Sequence, residues 1–167
     1  MIRELTQEDA SPFAQLMRSV EQDSQYMLFE PEERSTTVED HKRKIQLINE
    51  SPNSTLLAEE SDQKLAGYLL AIGGMAKRNK HCAYIVIGIL KEHRGLGLGT
   101  KLFQHVEDWA KKQNIHRLEL NAAVQNEAGI ALYKKAGFSI EGVRKDSLLI
   151  NNHYVDEYYM AKLLKTE

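Results

Sequence analysis

The sequence predicts one α/β domain over residues 1–167, a mixed, mostly antiparallel central sheet flanked by helices in the order β-α-α-β-β-β-α-β-α-β-β. Three observations predict it. A chain of 167 residues is of single-domain length and long enough to bury a core. Runs rich in β-branched residues alternate with segments whose apolar residues recur every three or four positions. No repeat, low-complexity tract or linker divides them.

Residues 2–5 make a short strand. Thr6 with Asp9 three positions later forms a helix N-cap pair. Ala10, Phe13, Ala14, Met17 and Val20 then keep helical spacing, which carries a first helix to about Val20. Residues 21–35, with Pro31 and little periodicity, read as a connecting loop. Thr36 and Glu39 make a capping box, and Val38, Ile45 and Ile48 give a second helix that stops at Ser51-Pro52-Asn53. Strand-like runs follow at 55–60, 65–72 and 82–90, with Asp62-Gln63 turning the first pair into a meander. Leu102, Phe103, Val106, Trp109 and Ala110 line one face of a third helix. Residues 117–123 form a strand with Leu118 and Leu120 inward. Asn126 caps a short helix that Gly137 ends in the C′ position, where a left-handed residue is needed. A closing hairpin runs over 138–150 and 153–164 around Asn151-Asn152.

Composition excludes several functions. A net charge of -2 leaves no electrostatic footprint for nucleic acid. The one basic cluster, Lys77-Arg78-Asn79-Lys80-His81, sits between apolar runs and reads as a solvated hairpin turn. The single cysteine, Cys82, rules out an internal disulfide and fits a reducing compartment. There is no apolar leader at the N-terminus and no stretch of bilayer-spanning length, so a cytoplasmic protein with no membrane partner is expected.

The most informative stretch is His93-Arg94-Gly95-Leu96-Gly97-Leu98-Gly99-Thr100, between a β-branched strand and an amphipathic helix. Glycines at alternate positions let a ligand approach the backbone, and the helix start adds unpaired N–H groups and a positive dipole end. That is an anion site, most often for phosphate. The P-loop pattern needs Gly-Lys-Ser/Thr, and the order here is Gly99-Thr100-Lys101. The dinucleotide fingerprint needs a third glycine where Thr100 or Leu102 stands, although Glu119 would suit its ribose-binding acid.

The spacing Arg94-x-x-Gly97-x-Gly99 resembles the acyl-CoA pyrophosphate loop of the GNAT superfamily of N-acetyltransferases. A second block, Asn126-Glu127-Ala128-Gly129-Ile130-Ala131-Leu132-Tyr133-Lys134-Lys135-Ala136-Gly137-Phe138, is similar to that superfamily's Asn-x-x-Ala-x-x-x-Tyr-x-x-x-Gly-Phe segment, with Gly129 in place of the usual alanine. The resemblance covers about residues 55–164 and implies a GNAT fold in which the strands before the two motifs splay apart. It implies acetyl-CoA as co-substrate, with its pyrophosphate on the loop Arg94, Gly95, Leu96, Gly97, Leu98, Gly99 and Thr100. Side chains at Gly97 or Gly99 would occupy the phosphate's space. The resemblance places the pantetheine arm along the main chain of Ile87, Gly88, Ile89 and Leu90, an added strand on a sheet edge. Asn126 is a cap that could also touch the pantetheine amides. Tyr133 is the expected catalytic residue, its hydroxyl near the sulfur, where a phenol can protonate or stabilise the departing thiolate. No metal is called for.

The attacking amine must shed a proton, since alkylammonium groups titrate near pH 10. Many family members carry a glutamate on the strand before the glycine loop, yet residues 83–90 hold no acid. Glu119, Glu30 and Asp156 are the available candidates, and the base stays unassigned. Cys82 starts its strand too far from the loop to serve as an acyl carrier and reads as a buried structural thiol. For the acceptor, Glu21, Asp23 and Glu30 could attract a cationic amine, Tyr26, Met27, Leu28 and Phe29 could wall an apolar pocket, and Arg144 could hold a carboxylate. The stretch Val143-Arg144-Lys145 with residues 152–160 resembles GNAT members that acetylate free amino acids or small xenobiotic amines. It resembles, less closely, enzymes that acetylate the N-termini of ribosomal proteins. The expected function is acetyl transfer to a small primary amine by direct attack. A protein N-terminus as acceptor, a non-catalytic acetyl-CoA-binding module and a homodimer stay open.

Overall fold

Thr37, not Thr36, starts the second helix in the computed structural model, which describes residues 1–165. Both threonines have an acid three positions on. It is the Thr37 amide and hydroxyl that donate to Asp40 Oδ2, at 2.8 and 2.9 Å, and the Asp40 amide returns a bond to Thr37 Oγ1 at 3.1 Å. Helix α2 is therefore Val38–Glu50, with Ile45 and Ile48 buried and Val38 exposed. Helix α1, Ala10–Asp23, extends a turn past Val20, so the connecting loop covers 24–37 rather than 21–35.

The predicted order of elements is observed, with a 3-10 turn before α1 and another after the fourth strand. The strands are β1 (Ile2–Glu4), β2 (Thr55–Ser61), β3 (Lys64–Gly73), β4 (Cys82–Ile89), β5 (Arg117–Ala123), β6 (Ser139–Ile150) and β7 (His153–Leu163). Helix α3 is Leu98–Lys112 and α4 is Glu127–Lys135. Asp62 and Gln63, with φ of 51° and 63°, supply the left-handed pair that a two-residue hairpin requires, and Asn151 and Asn152 do so for the last hairpin. Thr166 and Glu167, the end of the expected domain, lie outside the described residues.

The sheet order is β1-β2-β3-β4-β5-β7-β6, and every neighbouring pair is antiparallel except β4–β5. Alternation along β3 sends Leu69 and Ala71 toward α3 and Tyr68 and Leu70 toward α1 and α2, so the central strands are apolar on both faces. Leu102, Phe103, Val106 and Ala110 of α3 are buried against one face; Trp109 is only half-buried. Phe13 of α1 stands edge-on to both Tyr68 and His41 on the other, at 5.4 and 5.6 Å. Among the described residues no helix is long and apolar enough to cross a membrane.

One ion pair ties the first strand to the first turn. Both Arg3 guanidinium ends reach Asp9, at 2.8 and 2.9 Å, and the Thr6 amide donates to the same carboxylate at 2.8 Å. The Arg3 bonds in particular hold the Asp9 carboxyl down at about 2. A depressed folded-state pKa stabilises above the unfolded value and is lost as pH falls through the folded one, which makes the pair worth about 2 kcal/mol near neutrality. Asp9→Asn is expected to lower Tm at pH 7, and the gap to the parent should close between about pH 4 and pH 2. Melting curves across that range check it; a gap independent of pH would mean that packing carries the effect.

Candidate active site

The parallel joint β4–β5 lasts three rungs, Cys82 opposite Arg117, Ala83 opposite Leu118 and Tyr84 opposite Glu119. Beyond Tyr84 the two strands part. Residues 85–89 keep β3 on one edge and have no strand on the other, while residues 120–123 stay paired with β7. A cavity of about 970 Å³ opens along this gap. It reaches from the glycine turn, past β4, to the loop between α1 and α2.

At one end stands the start of α3. Gly97 is its N-cap in the left-handed region, φ 81°, and its carbonyl accepts the first helical bond, from the Lys101 amide at 3.1 Å. The amides of residues 95–100 have no hydrogen-bond partner among the described residues. They form the fan of donors that an anion at a helix N-terminus uses. Arg94 folds back to donate from Nε to the Ile89 carbonyl at 3.1 Å, fixing the turn to the end of β4 while its guanidinium stays exposed.

The glycines are there for different reasons. A Cβ on Gly97 would meet nothing within 4 Å, so the backbone conformation and the open space before it are what matter. A Cβ on Gly99 would stand 2.7 Å from Leu132 and 3.3 Å from Ile89. Gly99 thus lets α3 approach Leu132 of α4 and Ile89 of β4, a packing role in addition to the one expected of it. Gly129, which departs from the family pattern, has its own cause. The Asn126 side chain accepts from the Gly129 amide at 3.0 Å, and a Cβ at 129 would fall 2.4 Å from Asn126 Nδ2.

Tyr133 projects from α4 with its ring edge-on to Phe103 at 5.9 Å. Burial, with the nearby Tyr84 phenol adding to it, pushes the Tyr133 hydroxyl up to about 12. Tyr84 is raised as well, by burial first, with the Asn121 amide opposing. All the residues expected to hold the co-substrate line the cavity except two. Leu90 packs toward the α1–α2 core, and Leu96 is 70% exposed.

At the other end Glu21, Asp23, Tyr26, Met27, Leu28 and Phe29 line the wall, as expected, and Glu30 does not. The Tyr26 hydroxyl donates to the Gln125 carbonyl at 3.3 Å, which ties the α1–α2 loop to the turn before α4 and roofs the cavity. Arg144 lies in the wall 4.0 Å from Glu157. None of the three expected base candidates faces the cavity. Glu119 is held by Arg117 at 2.7 Å, and Asp156 accepts the Asp146 amide at 2.7 Å. Glu157, opposite Ala123 on the β5–β7 ladder and hydrogen-bonded by Ser147 at 2.9 Å, does face it, as do Tyr84, Arg34 and Lys44. Sequence reasoning passed over these four; the alternation of β7 could have separated Glu157 from Asp156 only with the register known. Cys82 lies outside the cavity but is half-exposed, not buried, because it opens its strand beside a solvated loop. No cluster of metal-ligating side chains occurs among the described residues.

A model of the acetyltransferase (GNAT) family matches residues 15–138. The chain is 32% identical over 106 residues to an L-amino acid N-acetyltransferase of Escherichia coli, an alignment covering 61% of this chain and 64% of that relative. It thus spans somewhat less than two thirds of that relative's length. A GNAT-family acetyltransferase of Streptococcus pneumoniae superposes with a TM-score of 0.94 at 27% identity, covering 99% of both chains. A phosphinothricin acetyltransferase of Sinorhizobium meliloti in complex with acetyl-CoA shares the fold, with a TM-score of 0.86 at 15% identity over 98% of this chain and 88% of that one. The chain belongs to the GNAT family.

Proposed function

We propose that this GNAT chain is an acetyl-CoA-dependent N-acetyltransferase whose acceptor is the primary amine of a small molecule, an amino acid or a xenobiotic amine. The observation that carries the reading is one continuous cavity faced by three things: the unpartnered amides of residues 95 and 97–100, the free edge of β4 and the Tyr133 phenol. The names of the relatives support it, an L-amino acid N-acetyltransferase among them.

The donor set fits acetyl-CoA, which when bound supplies an acetyl thioester for the amine to attack. The amides of residues 95–100 would take its pyrophosphate, with Gly97 leaving the approach open. The edge of β4 that faces the gap at residues 87–89, where Arg94 already holds the Ile89 carbonyl, would take the amides of the pantetheine arm as a neighbouring strand. Asn126, spent on the cap, shapes the start of α4 so that Tyr133 faces the gap. Tyr133 keeps its proton and donates a hydrogen bond where negative charge grows on sulfur. Glu157 and the Tyr84 phenol, both in the wall, are the groups available to relay the proton from the amine.

The roof formed by Tyr26 on Gln125 favours a small acceptor over a polypeptide N-terminus. The test is acetyl-CoA-dependent thiol release against amino acids, polyamines, drug-like amines and N-terminal peptides. Release with small amines and little with peptides is expected. Release with peptides alone would replace the small-molecule reading. No release, with acetyl-CoA still raising Tm, would make the chain a binding module.

A further inference from the structure

The acceptor end of the cavity is lined by the charged side chains Glu21, Asp23, Arg34 and Lys44. Glu21 of α1, 7% exposed, is the buried carboxylate there, Asp23 being exposed, and the Arg34 guanidinium hydrogen-bonds to Glu21 while stacking on Phe29 at 4.1 Å. That pair is complete. Lys44 of α2 lines the same wall and makes no hydrogen bond or ion pair among the described residues. Two other titratable groups pack beside the cluster: the Tyr68 phenol, which burial and Glu21 keep protonated, and His41, buried against Phe13 and disfavoured as a cation by burial and by Lys44 itself. Asp40 is exposed and committed to the Thr37 cap. Lys44 is left facing the cavity with no direct partner among the described residues, since Glu21 is bonded to Arg34 and acts on it only at longer range. An ammonium withdrawn from water without a counter-charge is costly, and an anion delivered by a ligand offsets that cost.

We propose that the acceptor is an amine that also bears a carboxylate, of the amino acid type, and that Lys44 receives that carboxylate. This rests on the acetyl-transfer reading and names its substrate class. The CoA phosphates do not compete for this lysine: their amide fan belongs to α3, on the opposite face of the sheet from α1 and α2. Arg144 is another cation in the wall, with Glu157 beside it at 4.0 Å. Burial, and Arg34 after it, lower the Lys44 pKa against the opposing pull of Glu21, and a bound carboxylate would reverse that penalty. Phe13, Met17, Phe29 and Leu70 around the cluster suit an apolar side chain on that acceptor.

The experiment compares kcat/KM for L-methionine and L-phenylalanine with their primary amides, which keep the amine and lose the charge. The parent should prefer the acids. In Lys44→Met the acid-over-amide ratio should fall by about tenfold or more, with acetyl-CoA still raising Tm as proof of a folded variant, and Lys44→Arg should restore part of it. A ratio near one in the parent, or one unchanged in Lys44→Met, overturns the proposal. Calorimetry on the CoA-loaded protein separates this from failure of the transfer reading. Acids bound more tightly than amides, with that preference lost in Lys44→Met, would support the carboxylate site even without turnover. Acids and amides bound alike, or neither bound, would overturn it.

Discussion

Tyr133→Phe is expected to lower kcat by about a hundredfold or more while leaving the KM for acetyl-CoA nearly unchanged. The substitution removes one oxygen and retains the ring that packs on Phe103, so the core beneath α4 is undisturbed. With its hydroxyl at about 12, Tyr133 is a weaker acid than a thiol at about 8.5. On the acetyl-transfer reading, complete transfer of its proton to the leaving sulfur would therefore be uphill, and a donated hydrogen bond would be what lowers the barrier. For the same reason Tyr133 should contribute no alkaline limb to kcat below about pH 12. Steady-state kinetics on parent and variant check both points. An unchanged kcat would return Tyr133 to a packing role.

Gly97→Val is expected to abolish the rise in Tm that acetyl-CoA gives, with the domain still folded. Residue 97 sits at φ 81°, where a β-branched side chain is strained by about 1–2 kcal/mol. That is small beside the 5–15 kcal/mol that holds a typical domain together. No protein atom lies within 4 Å of the new Cβ, so the insult falls on whatever occupies the space before the turn. Circular dichroism for the fold and thermal shifts with acetyl-CoA separate the two effects. A normal shift would sink the phosphate-loop assignment.

What the sequence made legible was local. The glycine turn, the Asn126 cap and the left-handed hairpin residues each depend on contacts within a few positions, and all stand where the pattern put them. The capping box slipped by one because Thr36 and Thr37 have the same arithmetic and only the hydrogen bonds decide. The proton-accepting side of the site was illegible for a different reason. Asp156 and Glu157 are adjacent acids on one strand, and which of them faces the cavity follows from pairing with a strand more than 30 residues earlier. Likewise, the residues of the charged cluster, Glu21, Arg34 and Lys44, come from two helices and the loop between them, and nothing in their spacing announces that they share a wall.

The three-rung joint between β4 and β5 also bears on how the molecule assembles. On one side of it stand β1–β4 and on the other β5–β7, each stitched by antiparallel neighbours. Strands β2–β4 and β6–β7 follow one another through short connections, whereas the seam must wait for the longer crossover through α3. Below the sheet the halves share one core, where Leu57, Leu69 and Ile85 meet Leu118, Leu120 and Met160; elsewhere they are bound by those three rungs and by the Tyr26–Gln125 hydrogen bond. A ligand lying in the gap would then act as a rivet as well as a reactant. Local opening of the native state should begin along that line, and it should be the first part of the molecule to stiffen when the gap is filled.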